Sequence, residues 1–244
     1  MTTITTTTER KALVTGATSG IGRATAFALA DEGYEVVVHG RDVVRGAETV
    51  KTIESRGGRA RFVAADLSAS GAAADLAAAV GPVDVLVNNA GFAWFGPTDQ
   101  LDEVTFDEMF AANVRSAYQL VAAFAPGMAA RGHGSIVSVD SMAGHVGMSG
   151  SAAYGATKAA LTTMSKSWAA EFSPSGVRVN TVAPGPVYTN AADKEFFDGL
   201  GATTLLGRAA DPKELADVIA FLASDKASYI TGALIPVDGG RTAI

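Results

Sequence analysis

Short apolar runs rich in β-branched residues alternate along this chain with longer alanine-rich stretches of helical period. Strands that are buried on both faces read as continuous apolar runs, and helices that connect parallel strands fill the stretches between them. The alternation therefore predicts repeated β-α-β units in which helices cover both faces of one parallel sheet. No repeat of solenoid period and no interdomain linker interrupts the pattern.

The runs predict an α/β fold class: a single-domain, doubly wound Rossmann fold with a seven-stranded parallel sheet over residues 11–244. The predicted strands span residues 12–15, 35–39, 61–65, 83–87, 135–139, 178–182 and 233–237. The predicted helices span residues 20–32, 44–56, 70–79, 101–130, 152–172 and 212–224. Residues 1–10 are expected to form a flexible tail, and residues 190–206 an insertion in the substrate loop.

Composition restricts the partners. With 244 residues, 48% of them hydrophobic and 18% charged, the chain can bury one large core. It has no cysteine, which excludes disulfides and thiolate chemistry and fits a cytoplasmic location. The net charge of −6 carries no basic block, and no apolar run reaches the ~20 residues of a membrane span. We therefore expect small-molecule ligands, with no nucleic acid and no membrane as partner.

A glycine-rich loop follows the first predicted strand. Its glycines permit a tight turn, close approach of the backbone to a pyrophosphate, and close packing of a helix whose first N–H groups face the anion. The loop predicts a dinucleotide site made by Gly16, Thr18, Ser19, Gly20, Ile21 and Gly22. Because the chain holds 27 glycines, an ordinary glycine-rich turn is the alternative.

The tip of the second predicted strand bears on the choice of cofactor. An arginine there pairs with the 2′-phosphate of NADP, whereas a carboxylate accepts both ribose hydroxyls of NAD. Arg41 therefore favours NADP(H), with His39 as a neighbour of the phosphate, and NAD(H) would follow if Asp42 turned inward instead. A solvated charged turn is the alternative without a function.

Further cofactor contacts are expected where the third and fourth strands end, because ligands lie at the carboxyl edge of open α/β sheets. Asp66, followed by Leu67, could accept from the adenine amino group or cap the next turn. Asn88, followed by Ala90 and Gly91, could contact the cofactor or clip a neighbouring strand with its amide.

Tyr154 and Lys158 lie four residues apart on a predicted helix, so both project from one face. At ~4 Å and an effective dielectric of ~20, an ammonium attracts a phenolate by about 4 kcal/mol before desolvation, which is expected to lower the tyrosine pKa from ~10. Ser141 follows a strand that ends at the same edge of the sheet, so the three groups are expected to converge. A surface helix with an exposed lysine is the alternative.

Together these motifs resemble those of the short-chain dehydrogenase/reductase family, from about residue 11 to residue 240. The segments that carry the resemblance are residues 15–22, 88–91, 113, 141, 154–158, 184–185 and 232–240. The resemblance implies an NAD(P)-dependent oxidoreductase that interconverts a ketone and a secondary alcohol, the cofactor supplying the hydride. Tyr154 would be the general acid or base, Ser141 would bond the carbonyl oxygen, and Lys158 would hold the nicotinamide ribose.

The resemblance also implies roles for residues outside this trio. Asn113 would anchor a water that relays protons to Lys158, although a buried kink in its helix is the alternative. Val187 and Thr189 would contact the nicotinamide amide, and Pro184 and Gly185 before them would also belong to the cofactor site. No metal is expected, because His133 and His145 have no carboxylate at a convincing helical spacing and read as loop histidines.

The loops beyond the strand ends suggest an apolar carbonyl compound or its alcohol as substrate. The expected walls are Trp94, Phe95 and residues 142–148 and 188–197, which are apolar and aromatic, and residues 190–206 could close as a lid. Within the family the chain is similar to 3-oxoacyl-carrier-protein reductases. Arg131 is suitably placed for an acidic carrier, but residues 173–176 lack the second basic residue, so carrier recognition stays open.

Relatives usually form tetramers through two long helices and the last strand. The helices predicted at 101–130 and 152–172 are apolar around much of their circumference, so a homotetramer is expected, with a dimer second. The rival functions are a non-catalytic dinucleotide sensor, which would have little use for the catalytic residues, and an epimerase or dehydratase, which usually carries a longer substrate domain.

Overall fold

The computed structural model describes residues 10–189 and 193–243. The strands within them are β1 (Lys11–Val14), β2 (Glu35–Gly40), β3 (Arg59–Ala64), β4 (Val85–Asn88), β5 (Gly134–Val139), β6 (Val177–Pro184) and β7 (Leu234–Val237). The α-helices there are α1 (Gly20–Asp31), α2 (Val43–Ser55), α3 (Ala72–Val80), α4 (Glu103–Phe110), α5 (Ser116–Arg131), α6 (Ala152–Phe172), α7 (Lys194–Gly201) and α8 (Pro212–Ala223).

The seven strands of this described part form one sheet in the order β3-β2-β1-β4-β5-β6-β7, and every neighbouring pair is parallel. The direction of winding therefore reverses between β1 and β4, which opens a crevice at the carboxyl edge of the sheet. The predicted fold class is confirmed, with each strand end within two residues of its predicted position.

Apolar residues on the two faces of the sheet form two separate core layers. Val14 and Val137 pack with residues of α1 and α8, whereas their neighbours Leu13 and Ile136 pack with residues of α3, α5 and α6. All four are fully buried, and each such burial contributes about 1.5–3 kcal/mol. Burial on both faces explains why the strands read as continuous apolar runs rather than as alternating ones.

The helix predicted over residues 101–130 is wrong as one continuous α-helix. A π-helical turn at Ala111–Arg115 separates α4 from α5. A π turn contains one extra residue, and such turns are frequent at functional sites. This turn places Asn113 within the helix pair at a point where the regular hydrogen-bond pattern is broken.

The predicted substrate loop and the end of the predicted N-terminal tail both contain ordered contacts. In the substrate loop, Asp193 caps α7 by accepting from the N–H of Phe196 at 2.8 Å, whereas residues 190–192 lie outside the described residues. Residues 1–9 of the predicted tail also lie outside them, but Arg10 pairs with Asp225 at 3.2 Å and stacks over the ring of Tyr34. No helix in the described part is long and apolar enough to span a membrane.

Candidate active site

The glycine loop joins β1 to α1 at the point where the winding reverses. Gly16 and Gly20 have φ angles of 64° and 52°, in the left-handed region that favours glycine. A Cβ on Gly22 would lie 2.4 Å from the carbonyl oxygen of Gly16, so the loop folds tightly onto the first turn of α1. Ser19 precedes this helix without capping it through its side chain. The first N–H groups of α1 therefore suit a pyrophosphate.

His39 supports this loop and does not present a charge to a ligand. Its ring is buried, Nδ1 accepts from the N–H of Gly16 at 3.3 Å, and Nε2 lies 3.2 Å from the carbonyl oxygen of Ala65. Burial lowers the pKa of His39 to about 4, so the ring is neutral at physiological pH. Because backbone groups contact both ring nitrogens, His39 offers no charge to a phosphate, and its expected position beside the cofactor phosphate stays a prediction.

Arg41 and Asp42 at the tip of β2 have different surroundings. Asp42 caps α2 by accepting from the N–H of Arg45 at 3.0 Å and pairs with the guanidinium of the same residue at 2.7 Å. The backbone bond from Arg45 is the main reason that the pKa of Asp42 is lowered. Arg41 is 74% exposed and lies 4.0 Å from the carboxylate of Asp66. Asp42 is thus committed to its helix, and Arg41 presents the exposed charge.

Asp66 and Leu67 follow β3 at the same edge. Oδ1 of Asp66 accepts from the hydroxyl and the N–H of Ser68 at 2.8 and 3.0 Å, which lowers the pKa of this carboxyl. Capping of the next turn, one of the two expected roles of Asp66, is therefore confirmed. The Leu67 side chain packs in the core with Leu76 and is only 6% exposed, so a contact of Leu67 with the cofactor is limited to its backbone.

The structural clip expected of Asn88 belongs to the next residue. Nδ2 of Asn89 donates to the carbonyl oxygens of Thr15 and Gly16 at 2.8 and 3.2 Å and joins the ends of β1 and β4. Asn88 is 5% exposed, and both polar atoms of its amide are without a hydrogen-bond partner in the described structure. A buried amide left unsatisfied costs about 1–3 kcal/mol, so this orphaned group fits a polar ligand.

Ser141, Tyr154 and Lys158 converge as the sequence predicts. Ser141 comes just after β5, and the other two project from the start of α6. Ser141 lies close enough to Tyr154 for its hydroxyl to act on the tyrosine pKa, and Nζ of Lys158 lies 5.8 Å from the centroid of the tyrosine ring. Lys158 is 5% exposed and donates to the carbonyl oxygen of Val139 at 2.8 Å.

Burial dominates the electrostatics of this cluster. It raises the pKa of Tyr154 to about 12, an effect that the hydrogen bond with Ser141 opposes and the charge of Asp140 increases. Burial also lowers the pKa of Lys158 to about 8, and here the charge of Asp140 opposes it. Lys158 is not among the influences on the pKa of Tyr154, so the lowering expected from its ammonium stays a prediction, and the net shift is upward because burial disfavours the phenolate. Tyr154 is a neutral phenol at pH 7.

Asn113 fastens the loop after β4 to α6. Its Oδ1 accepts from the N–H of Phe92 at 3.0 Å, and its Nδ2 donates to the carbonyl oxygen of Phe92 and to the hydroxyl of Thr157 at 2.9 and 3.0 Å. Gly91 packs against this amide, since a Cβ there would lie 2.6 Å from Oδ1. Ala90, the residue before Gly91, lies at the same carboxyl edge of the sheet. Asn113 is buried within the π turn, which agrees with a structural role, and the water relay expected of it stays a prediction.

The segment after β6 returns to the glycine loop. Pro184 ends the strand, and Gly185 continues the ladder by donating its N–H to Val237 at 3.0 Å. Val187 is buried and forms a parallel bridge with Ala210. The methyl carbon of Thr189 lies 3.2 Å from the position that a Cβ of Gly20 would occupy. This segment therefore borders the dinucleotide loop, as its predicted contact with the nicotinamide requires.

Sequence reasoning missed Asp140 and misplaced Arg131. Asp140 is buried directly before Ser141, and its Oδ2 accepts from His145 at 2.5 Å, so His145 does have a carboxylate partner in space. The available signal was a charged residue at the end of an apolar strand. Arg131 donates to the carbonyl oxygen of Val83 at 2.6 Å, at the edge where β4 begins and opposite Ser141. Within one chain, its expected placement at the site entrance is wrong.

A parallel sheet with a glycine loop at its reversal point and a Ser-Tyr-Lys cluster at the same edge defines a dinucleotide-dependent oxidoreductase of Rossmann type. A family model described as enoyl-(acyl carrier protein) reductase matches residues 16–242. The chain belongs to the short-chain dehydrogenase/reductase family and is an NAD(P)-dependent enzyme of that family.

Individual relatives match almost end to end. The cis-4-hydroxycyclohexanecarboxylate dehydrogenase of Sinomonas cyclohexanicum is 40% identical, covering 97% of this chain and 98% of that protein. A solved structure of a short-chain dehydrogenase/reductase family protein is 48% identical with a TM-score of 0.91, covering 96% of this chain and 98% of that one. The solved structure of the NADP-bound 3-oxoacyl (acyl-carrier-protein) reductase of Agrobacterium tumefaciens C58 is 37% identical with a TM-score of 0.89. The match covers 95% of this chain and 93% of that one.

Proposed function

We propose that this protein is an NADP(H)-dependent carbonyl reductase that interconverts a ketone and a secondary alcohol, with Tyr154 as general acid or base. The observation that carries the proposal is the convergence of Ser141, Tyr154 and Lys158 beside the glycine loop. A phenol, a hydroxyl and an ammonium at one edge of a dinucleotide crevice are the groups that carbonyl reduction needs. A sensor without catalysis would have no use for this cluster, which disfavours that rival.

The residues of the crevice fit a dinucleotide. The close approach at Gly22 leaves no space for a side chain, the first turn of α1 has no side-chain cap from Ser19, and the buried amide of Asn88 lacks a partner within the described residues. The bound dinucleotide would supply a hydride to the carbonyl carbon or take one from the alcohol carbon. The loop would hold the pyrophosphate, and Lys158 the nicotinamide ribose.

The choice of NADP(H) over NAD(H) is supported by the tip of β2. Arg41 is exposed there, whereas Asp42 is held by its hydrogen bonds to Arg45. A guanidinium pairs well with a phosphate, and a carboxylate engaged in capping cannot bind the ribose hydroxyls of NAD. The NADP bound to the Agrobacterium relative points the same way.

Tyr154 is suited to proton donation. Burial raises its pKa to about 12, so the phenol remains protonated at neutral pH and can pass its proton to the oxygen that becomes an alkoxide during reduction. Ser141 would hydrogen-bond the same oxygen and stabilise its developing charge.

The substrate is proposed to be an apolar carbonyl compound. The ring of Phe95 is 52% exposed and lies edge-on to Tyr154 at 5.4 Å between centroids, so an apolar wall borders the proton donor. Tyr188 in the loop after β6 and Phe197 on α7 form a second aromatic contact, with 6.2 Å between their ring centroids. Reduction of a 3-oxoacyl group on a carrier protein is the alternative, favoured by the Agrobacterium relative and weakened by the position of Arg131.

We further propose that the chain forms a homotetramer, with a dimer as the second choice. Tyr118 on α5 is 56% exposed beside a cavity of about 650 Å³ that Phe110 and Met164 also line. Phe221 on α8 and Tyr229 before β7 are exposed as well. Apolar side chains of this size on two separate surfaces indicate two self-association faces.

The function is tested by following the absorbance of NADPH and NADH with a panel of ketones and aldehydes. Tyr154→Phe should lower kcat about 10²–10⁴-fold while NADPH still binds, because only the transferable proton is lost. Tyr229→Phe is the matched control, since it also removes one phenolic hydroxyl but keeps the ring on the proposed self-association face, and it should keep wild-type turnover. Full activity of Tyr154→Phe would exclude the proposed mechanism, and no oxidation of either cofactor with any carbonyl would count against carbonyl reduction.

A further inference from the structure

Asp140 is a buried carboxylate that the mechanism above does not use. Its side chain is fully buried at the end of β5, and Oδ2 accepts from Nε2 of His145 at 2.5 Å and from the hydroxyl of Thr162 at 2.6 Å. Oδ1 is buried without a hydrogen-bond partner in the described structure. A carboxylate with one bare oxygen is costly to bury unless a positive charge lies close to it.

Lys158 is a buried positive charge near this carboxylate: the position that a Cβ on Gly144 would occupy lies 3.1 Å from Oδ1 of Asp140 and 3.2 Å from the backbone carbonyl carbon of Lys158. It donates to the carbonyl oxygen of Val139, the residue before Asp140. Burial lowers the pKa of Lys158, and the charge of Asp140 is the influence that opposes this shift. The same charge raises the pKa of Tyr154. The titratable groups around Lys158 are thus Tyr154 on α6, Asp140 at the end of β5 and, through Asp140, His145 on the following loop.

We propose that Asp140 is a positioning residue of the active site, a buried counter-charge that keeps Lys158 protonated and is itself held by His145 and Thr162. An ammonium this deeply buried would lose its proton near neutral pH without a compensating charge. Oδ1 of Asp140 is also packed closely, since a Cβ on Gly144 would lie 3.1 Å from it. The carboxylate therefore has little freedom to turn away from the lysine.

The catalytic consequence rests on the function proposed above, whereas the coupling of charges does not. If Lys158 were neutral, the nicotinamide ribose would lose its charged hydrogen-bond donor. The developing alkoxide of the substrate would also lose a nearby positive charge. The kcat of reduction should then fall at a lower pH than in the wild type, while KM for the carbonyl substrate stays nearly constant.

Asp140→Asn removes the charge with little change of shape. Both hydrogen bonds go to Oδ2, so an asparagine with its carbonyl oxygen in that place keeps both donors and loses the negative charge. Its NH2 group then occupies the buried position of Oδ1, which has no hydrogen-bond partner in the described structure. NMR of selectively labelled lysine side chains, on protein without cofactor, measures the pKa of Lys158 directly. The pKa of Lys158 should fall by about one unit or more in this variant. The phenol pKa of Tyr154, followed by ultraviolet absorbance, should also fall.

Three variants serve as controls. Thr162→Val removes a donor but keeps the charge, so it should move the pKa of Lys158 much less than Asp140→Asn. Asp217→Asn removes an exposed carboxylate paired with Lys213 and should change neither pKa. Asp140→Ser removes the charge with a smaller side chain and should reproduce the shift of the asparagine variant.

Each outcome decides the matter. An unchanged pKa of Lys158 in folded Asp140→Asn and Asp140→Ser overturns the proposal, as does failure of both variants to fold, because the carboxylate would then be a structural requirement. A shifted pKa in a protein that reduces no carbonyl compound would leave the coupling intact and reject the proposed function instead. A shifted pKa together with a shifted pH profile of kcat supports both.

Discussion

The exposed guanidinium of Arg41 gives the sharpest test of cofactor choice. Replacing it in Arg41→Ala removes the charge expected to pair with the 2′-phosphate of NADPH. A charge-assisted hydrogen bond contributes about 1.5–3 kcal/mol. The Arg41 side chain is 74% exposed, so solvent screens the pair and the lower end of that range applies. About 1.5 kcal/mol corresponds to a roughly tenfold weaker Kd for NADPH.

Binding of NADPH and NADH to the wild type and to Arg41→Ala can be followed by cofactor fluorescence at low and high salt. The variant should bind NADPH about tenfold more weakly and NADH within about twofold of the wild type, with the difference shrinking as salt screens the charge. Arg56→Ala, which removes a distant guanidinium that pairs with Asp31, controls for the loss of one positive charge. Equal losses for both cofactors, or wild-type preference for NADH, would refute the assignment.

Two more predictions follow from the buried lysine and the exposed apolar faces. Lys158 has a pKa of about 8 in the folded chain against about 10.5 when unfolded, so its burial penalty is full below pH 8 and disappears as pH rises through that interval. In urea unfolding, the wild type should gain about 2 kcal/mol relative to Lys158→Met between pH 8 and 10, and parallel curves would contradict the assigned pKa. Light scattering should give about four chain masses, whereas a single chain mass at micromolar concentration would exclude self-association.

The sequence predicts the frame of the fold well because strand burial on both faces leaves a strong local signal. It predicts the convergence of Ser141 with Tyr154 for a topological reason, since strand ends and helix starts share one edge of a parallel sheet. The sequence could not show which of two adjacent residues has the structural role and which is left for a ligand. Asn88 and Asn89 have the same side chain, and only the packing of β1 against β4 decides which amide becomes the clip.

The other differences between the predictions from sequence and the structure come from burial and from contacts between residues distant in sequence. The spacing of Tyr154 and Lys158 gives their proximity, but the sign of the net pKa shift depends on how completely the surrounding loops exclude water. The role of His39 likewise depends on Gly16 and Ala65, which are distant from it in sequence. The π turn has no periodic signature over five residues, so the apolar pattern of residues 101–130 reads as one helix.

The extra residue in the π turn restricts which length changes this chain can tolerate. The turn accommodates one residue more than an α-helical turn would, so deleting one residue between 111 and 115 should restore regular α-helical bonding and leave α5 close to its present rotation relative to α4. Leu120, Phe124 and Met128 should then keep their places in the core layer on their side of the sheet. The deletion would instead disturb Asn113, whose amide joins Phe92 to Thr157.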